Sequence, residues 1–398
     1  MTVPEFSLLN DADFVASCEQ FIQTRHTIHA HPELGAEVPA TAELVAGLLR
    51  EWGYETHTGI GGHGVVGVLK NGSSARTIGL RADMDALPIH EQTGLPYAST
   101  IDGRMHACGH DGHTAILLAA AYHLARHRSF DGTLNLIFQP DEEGLSGAKA
   151  MIADGLFERF PCDAIFALHN MPGKAVGQAD VRSGVFMASS DKVTIRLTGK
   201  GGHAALPHLS NDVTIAIGHI ILGLQSIVSR NINPANQSII SIGQVLAGTT
   251  PNVIPNDAMM TLSVRNFSVA NQDLIEKRIR EIVAGQCQAF GISGEVEYLR
   301  QVPSVHNSAA ETLAARAAVQ AVLGDDNVAG DDAPVIPGSE DFAWMLQQRP
   351  GCYFTLANGL GEWHGCSVHN PGYDFNDKLV TIGAACWVRL VGDYLRAD

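Results

Sequence analysis

Apolar residues recur with helical spacing from Asp13 to His29, at Phe14, Cys18, Phe21 and Ile22, which predicts an amphipathic helix. A break at His31–Pro32 precedes a second helical segment, Ala40 to Trp52, which Gly53 ends. Two β-rich runs follow, Gly64–Lys70 and Thr77–Arg81, and the Asn71–Gly72 between them predicts that they pair as a hairpin. Further on, Ala115–Ala121 reads as a buried helix, Thr133–Phe138 as a buried strand, Ser146–Ala153 as a short helix and Asp163–Leu168 as another strand. Alternating strands and helices predict a layered α/β domain with a mostly parallel sheet.

From about Ser189 the texture changes. Asp191–Thr198 alternates like a half-buried antiparallel strand, and Asp212–Val228 is a long apolar helix. Strands over Ser238–Val245 and Ala258–Val264, a helix over Gln272–Phe290 and a strand over Gly294–Leu299 complete a β-α-β-β-α-β order. That order is the ferredoxin-like signature. The expected organisation is therefore a discontinuous α/β/α domain, residues 1–187 and 302–398, with a ferredoxin-like α+β domain inserted at 188–301. The returning part holds a helix over Ala309–Val322, the motif Gly338–Ser339–Glu340–Asp341–Phe342, a strand over Cys352–Leu356 and a final helix over Leu379–Leu395.

Composition narrows the class. At 398 residues the chain exceeds one ordinary core. Hydrophobic residues make up 45% and charged residues 17%, which is globular and not disordered. A formal charge of −16 argues against nucleic acid or an anionic membrane as partner. No apolar run is expected to reach the roughly 18 residues that span a bilayer, and Met1–Phe14 carries acids without the basic head of a secretory signal. Seven scattered cysteines fit a reducing compartment. The cytoplasm is the expected location.

Against this background one stretch stands out. Arg104 to His113 packs a thiol, three imidazoles and a carboxylate into ten residues broken by glycines. Cys108 and His110, one glycine apart, can face one metal ion. Other candidates end predicted strands: Asp83 and Asp85, Glu142 and Glu143 after Gln139–Pro140–Asp141, His169 before Asn170, and His369 before Asn370–Pro371. Two metal ions and a shared water need about five or six protein ligands, and this set supplies them. Adjacent carboxylates point different ways, so one of Glu142 and Glu143 can bind metal while the other serves as a base. The rival reading makes Cys108 a nucleophile with His106 or His110 as its base, but it leaves Glu142, Glu143, His169 and His369 without a role. Gly199–Lys200–Gly201–Gly202–His203 lacks the spacing of a phosphate loop and reads as a turn presenting His203. Arg265, after the Ala258–Val264 strand, can clamp a carboxylate or form a surface ion pair.

These motifs, in this order, resemble the metal-dependent aminoacylase/carboxypeptidase family of amidohydrolases. The similar branch holds bacterial hippurate hydrolases, N-acyl-amino-acid amidohydrolases and plant auxin-conjugate hydrolases. The motifs run from His29–Ala30–His31–Pro32–Glu33–Leu34 through Leu80–Pro88, His106–Asp111, Gln139–Gly144, Gly199–Ala204 and Pro251–Pro255 to Gly338–Phe342 and His369–Pro371. The resemblance implies two divalent ions held by Cys108, His110, Glu143, His169 and His369, with Glu142 as general base and Asp85 behind a ligand. It implies that His203 and Asn252 approach the substrate, from the partner subunit in dimers, and that Arg265 and Gly338 lie at the substrate. The family usually opens its ligand set with His-x-Asp, where this chain has Asp83–Met84–Asp85, and Cys108 stands where other branches bridge the metals with aspartate. A softer bridge leaves zinc, manganese, cobalt and nickel open. The implied activity is hydrolysis of N-acyl amino acids, with dipeptidase or aminopeptidase activity as the alternative. The implied assembly is a homodimer or homotetramer in which the inserted domain serves as lid and dimer surface.

Overall fold

The computed structural model describes residues 7–396; positions 1–6 and 397–398 of the expected first domain lie outside them. The chain divides into two compact units, one of residues 1–184, 306–334 and 341–398, the other of residues 185–305 and 335–340. Residues 335–340, which the sequence pattern places in the first domain, cluster with the second unit.

The first unit is built on an eight-stranded mixed sheet. Its strands are β1 (Glu55–Ile60), β2 (Gly64–Asn71), β3 (Thr77–Asp83), β4 (Gly132–Gln139), β5 (Ala164–Pro172), β6 (Ala179–Asp180), β11 (Val328–Ala329) and β12 (Gly351–Gly359). They lie in the order β1-β2-β4-β3-β5-β12-β6-β11. The centre, β4-β3-β5-β12, is parallel, whereas β1–β2, β2–β4 and β12–β6 are antiparallel. With β11 also parallel to β6, four of the seven pairings are parallel, as the sequence pattern predicts, and the central strands are buried on both faces as parallel strands must be.

The expected hairpin does not form. β4 lies between β2 and β3 and pairs with both. The Asn71–Gly72 corner is tied instead to the segment entering β4. Asn71 Nδ2 donates to the carbonyl of Arg128, and the Ser73 and Ser74 amides donate to Asp131 Oδ1. The hairpin in this region joins β1 and β2. β1 gives no clear sequence signal, because its mostly exposed residues carry no apolar alternation.

Helices α1 (Ala12–Ala30), α2 (Pro39–Glu51), α3 (His110–His127), α4 (Gly147–Ala153), α7 (Ala309–Leu323) and α8 (Lys378–Tyr394) belong to this unit. Asp11 caps α1 by accepting from the amides of Asp13 and Phe14. Phe14, Cys18 and Phe21 of α1 join Ile116, Ala119 and Ala120 of α3 and Trp387 of α8 in one core. Because α3 is sandwiched, its first residues, including His110, Asp111 and His113, are buried although polar.

The second unit pairs β7 (Ser190–Thr198), β8 (Ser238–Ala247), β9 (Asp257–Asn266) and β10 (Ser293–Val302) in the order β8-β9-β7-β10, all antiparallel. Helices α5 (Val213–Arg230) and α6 (Val269–Phe290) cover one face. Val193, Ile195 and Leu197, at period two, meet Ile217, Ile220 and Leu224 of α5 and Ile275, Ile279 and Val283 of α6. This is the ferredoxin-like strand order. By length and composition alone α5 is apolar enough to cross a membrane, contrary to the sequence expectation. Its core-facing residues are committed to the sheet.

Candidate metal centre

The carboxyl ends of β3, β4 and β5 share one edge, because the three strands are parallel and Asp83 is in register with Gln139. This edge holds most of the candidate chemistry. Asp83 ends β3 and Asp85 follows it, Glu142 and Glu143 follow β4, and His169 lies in the last half of β5. Cys108 and His110 reach it from the turn that starts α3. Gly109 between them has φ +93°, and a Cβ there would come 2.3 Å from Asn170 Oδ1 and 2.7 Å from Tyr373 Oη. Only glycine fits, and its left-handed conformation turns the chain between the two candidate ligands.

The donor atoms converge in overlapping groups. Those of Cys108, His110 and His169 lie within 4.8 Å of one another, as do those of Cys108, Glu143 and His369 and those of His110, Glu142 and Glu143. Cys108 Sγ is 3.3 Å from His169 Nε2, and His369 Nε2 is 3.3 Å from Glu143 Oε1. His110 Nε2, 3.9 Å from Glu143 Oε1, is buried without a hydrogen-bond partner. Orphaned buried polar atoms of this kind call for a ligand. A thiolate, three imidazoles and a carboxylate suit zinc-like and neighbouring divalent ions, so the residues present fit a metal centre.

Two of the three rings are oriented for metal binding by their other nitrogen. His110 Nδ1 donates to the Asp85 carbonyl at 2.8 Å, and His169 Nδ1 donates to the Asn170 carbonyl. A proton on Nδ1 leaves the Nε2 lone pair facing the cluster. His369 adopts φ +64°, a rare conformation for a non-glycine residue. Its amide donates to the Ala107 carbonyl at 2.8 Å, which ties this segment to the Cys108 turn. Asp85 accepts the Glu142 amide on Oδ1 and the Glu143 amide on Oδ2, each at 3.1 Å. One carboxylate thereby fixes the backbone of both the candidate base and a candidate ligand.

The electrostatics divide the donor set: His169 and Glu143 are held in their donor forms, whereas Cys108 and His110 hold protons that a cation must displace. Burial pushes the Cys108 thiol up to about 12, with His110 working against it; without a cation beside it this thiol stays protonated. Burial lowers His110, but Asp83 and Cys108 outweigh it and hold the imidazole well above its ordinary range. Burial and the neighbouring His113 keep His169 neutral, well below that range. Burial raises Glu143, yet His369 and His110 bring it below the usual carboxylate range.

Behind the ligands stands a supporting layer that the sequence pattern does not reveal. Asp83 Oδ1 meets His113 Nδ1 at 2.6 Å, Arg81 donates to Asp83 Oδ2 at 2.6 Å, and His113 Nε2 meets Asn170 Oδ1 at 2.7 Å. Asp341 accepts from Arg81 and Gln139 and from the Ala148 amide. The available signals were Asp83, a candidate at the end of a predicted strand, and His113, three residues from His110 and therefore on the same helix face; their pairing was not legible.

The remaining candidates belong to the second unit. His203 and Asn252 are neighbours there. His203 is paired with Val253, the Ala204 amide donates to the Asn252 carbonyl, and both side chains are exposed. Arg265 lies near the far end of β9 and donates to Ser339 Oγ at 2.8 Å, beside exposed Gly338.

Comparison with known proteins decides the family. The profile described as Peptidase family M20/M25/M40 matches residues 79–393. The chain belongs to this family. A hippurate hydrolase of Campylobacter jejuni is 44% identical to this M20 chain over 378 residues, covering 95% of it and 97% of the relative. An N-acetylcysteine deacetylase of Bacillus subtilis is 37% identical and covers 93% and 96%. Among solved structures, the YXEP protein of Bacillus subtilis, described as a dinuclear metal binding peptidase from the M20 family, superposes with a TM-score of 0.83 at 32% identity, covering 96% and 100%. The protein is thus an M20 metallo-amidohydrolase that uses divalent metal ions on a small-molecule substrate.

Proposed function

We propose that this M20 enzyme hydrolyses the amide bond of N-acyl amino acids, hippurate-like, N-acetyl or aryl-acetyl, releasing a carboxylic acid and a free amino acid. The observation that carries the reading is the convergence of Cys108, His110, Glu143, His169 and His369 on one sheet edge with Glu142 beside them. The relatives named for hippurate and for N-acetylcysteine supply the substrate class. In this reading the five residues hold two divalent ions: zinc, manganese, cobalt or nickel. When bound, the ions polarise the scissile carbonyl and acidify a water.

Glu142 takes the proton of the attacking water and returns it to the leaving amine nitrogen. Asp85 keeps Glu142 and Glu143 in place through their amides. His203 donates to the oxygen that gains negative charge, Asn252 stands beside it, and Arg265, near Gly338, pairs with the substrate carboxylate.

The second unit also favours a homodimer with shared sites. β9 is in register with β7 from Asp257↔Thr198 to Val264↔Asp191. The His203–Asn252 loop follows Thr198, so it lies beyond one end of this sheet, while Arg265 is near the other. At 3.4 Å per residue the two are separated by roughly 25 Å, more than a small N-acyl amino acid spans. His203 and Arg265 of one chain therefore cannot hold the same substrate molecule, and the reading assigns His203 and Asn252 to the active site of a partner subunit. Half-exposed Val245 and Leu246 on the edge strand β8, with Leu222 on α5, offer an apolar surface for that assembly. Unpaired cysteines throughout the chain support a cytoplasmic location.

The test is a substrate panel with defined metals: benzoyl-, acetyl- and indole-acetyl amino acids against free dipeptides. Chelator-sensitive cleavage of the acylated compounds is expected. A preference for dipeptides with a free amine would replace this reading with the peptidase alternative.

A further inference from the structure

The motif His29–Ala30–His31–Pro32–Glu33–Leu34 supplies nothing to the cluster of donor atoms. Part of it serves local structure, since the Glu33 carboxylate accepts the Ala40 and Thr41 amides at the start of α2. His29 does something else. Its Nδ1 lies 2.8 Å from Asp111 Oδ2, and Arg25, one turn earlier on α1, donates to the same oxygen at 3.0 Å. All three side chains have no solvent exposure. Glu91 faces the other ring nitrogen of His29 at 3.4 Å and is itself held by the Ser99 amide.

Asp111 directly follows His110 and lies three residues after Cys108. Its carboxylate sits in the first turn of α3, yet it is bonded to α1 and not to its own helix. Arg25 also reaches the other ligand-bearing segment. Its Nε is 2.7 Å from Asp377 Oδ1 and a terminal nitrogen is 3.7 Å from Asp374 Oδ1, both downstream of His369. The guanidinium lies against the Tyr97 ring at 4.6 Å. One buried arginine thus joins the Cys108–Asp111 turn to the His369–Asp377 segment, two pieces of chain more than 250 residues apart in the sequence.

Buried charges are a poor way to gain stability, because apolar side chains of similar volume usually serve as well or better. What such a network does well is fix position. We infer that Arg25 and His29 are positioning residues of the metal centre: through Asp111 they set where Cys108 and His110 stand, and through Arg25 they hold the His369 segment in register with them. This rests on the metal-centre reading above. It concerns residues that touch neither metal nor substrate, so it predicts an effect on metal affinity first and on turnover through it.

The experiment uses the full chain, stripped of metal and titrated with Co2+ alone against a chromophoric competitor, for wild type and His29→Gln. Melting of the metal-free protein is measured in parallel. Loss of an outer partner of a metal ligand typically lowers affinity about 10–100-fold. That loss is expected for His29→Gln, with metal-free melting close to wild type and a weakened thiolate-to-cobalt absorption at equal occupancy. Affinity within twofold of wild type would overturn the inference, as would a fall in melting temperature with affinity unchanged, which is the mark of a merely structural role. Should His29→Gln not fold, Glu91→Gln carries the same test. It leaves His29 and Asp111 in place, and weaker Co2+ binding supports the inference while unchanged binding overturns it. A wild-type chain that binds no Co2+ would overturn the metal-centre reading itself, and this inference with it. Tight binding by both wild type and variant would overturn only the inference.

Discussion

At the sheet edge of the first unit four of the five candidate ligands are held by a second group. His110 and His169 donate their Nδ1 protons to carbonyls, His369 is tied by its amide to Ala107, and Asp85 spans two successive amides. In the second unit, His203 is exposed, and its Nδ1 accepts only from the Ala205 amide at 3.0 Å. Asn252 is exposed too, and its Oδ1 accepts from the neighbouring Thr250 hydroxyl. The contrast separates two kinds of site residue. Groups that must hold a highly charged centre are preorganised and largely withdrawn from solvent, His369 being the half-exposed exception. Groups that act on charge appearing only during reaction can wait in solvent until substrate or a partner orders them.

Removing the metal should have the largest effect. Dialysis against a chelator is expected to abolish hydrolysis, and divalent ions should restore it, with metal analysis showing two ions per active chain. Next comes Glu142→Gln. It should retain both ions, because Glu142 is outside the proposed ligand set, and lose about 10²–10⁴-fold in kcat; Glu143→Gln should lose metal. Equal metal content in both variants would blur the division between base and ligand.

His203→Ala probes the exposed side. Loss of one oxyanion donor costs roughly 10²–10³-fold in kcat, with metal content and melting unchanged. Mixing inactive Glu142→Gln and His203→Ala chains under subunit exchange should restore activity, since one site of the mixed dimer then has an intact copy of each. A mixture that stays inactive would return His203 to its own chain. The smallest effect is expected for Asp85→Asn, about 10–100-fold in activity or metal affinity. An amide presents only one acceptor oxygen, so it cannot accept both the Glu142 and Glu143 amides. Activity equal to wild type would show that this clamp is dispensable.

The readable part of the molecule was the part written in local pattern. The β-α-β-β-α-β order of the second unit followed from alternating and helical spacing, and the Cys108–His110 cluster from residue type alone. Pairing partners were harder. The Asn71–Gly72 signal is strictly local, whereas the observed corner is decided by Asp131, nearly sixty residues away. The layer behind the ligands was illegible for the same reason: Arg81 meets Asp341 across 260 positions and His113 meets Asn170 across 57. Nothing in the sequence marked His369 for a left-handed backbone or for the bond its amide makes to the distant Ala107 carbonyl.

The central claim is that water, activated beside Cys108 and deprotonated by Glu142, attacks the amide directly. Rapid-quench intact-mass spectrometry of the metal-loaded enzyme during turnover of benzoyl-glycine tests this most directly. The account predicts that no acyl adduct accumulates and that Cys108, occupied by metal, resists alkylation until the metal is removed. A benzoyl group trapped on the Cys108 peptide would contradict it and make the thiol the nucleophile.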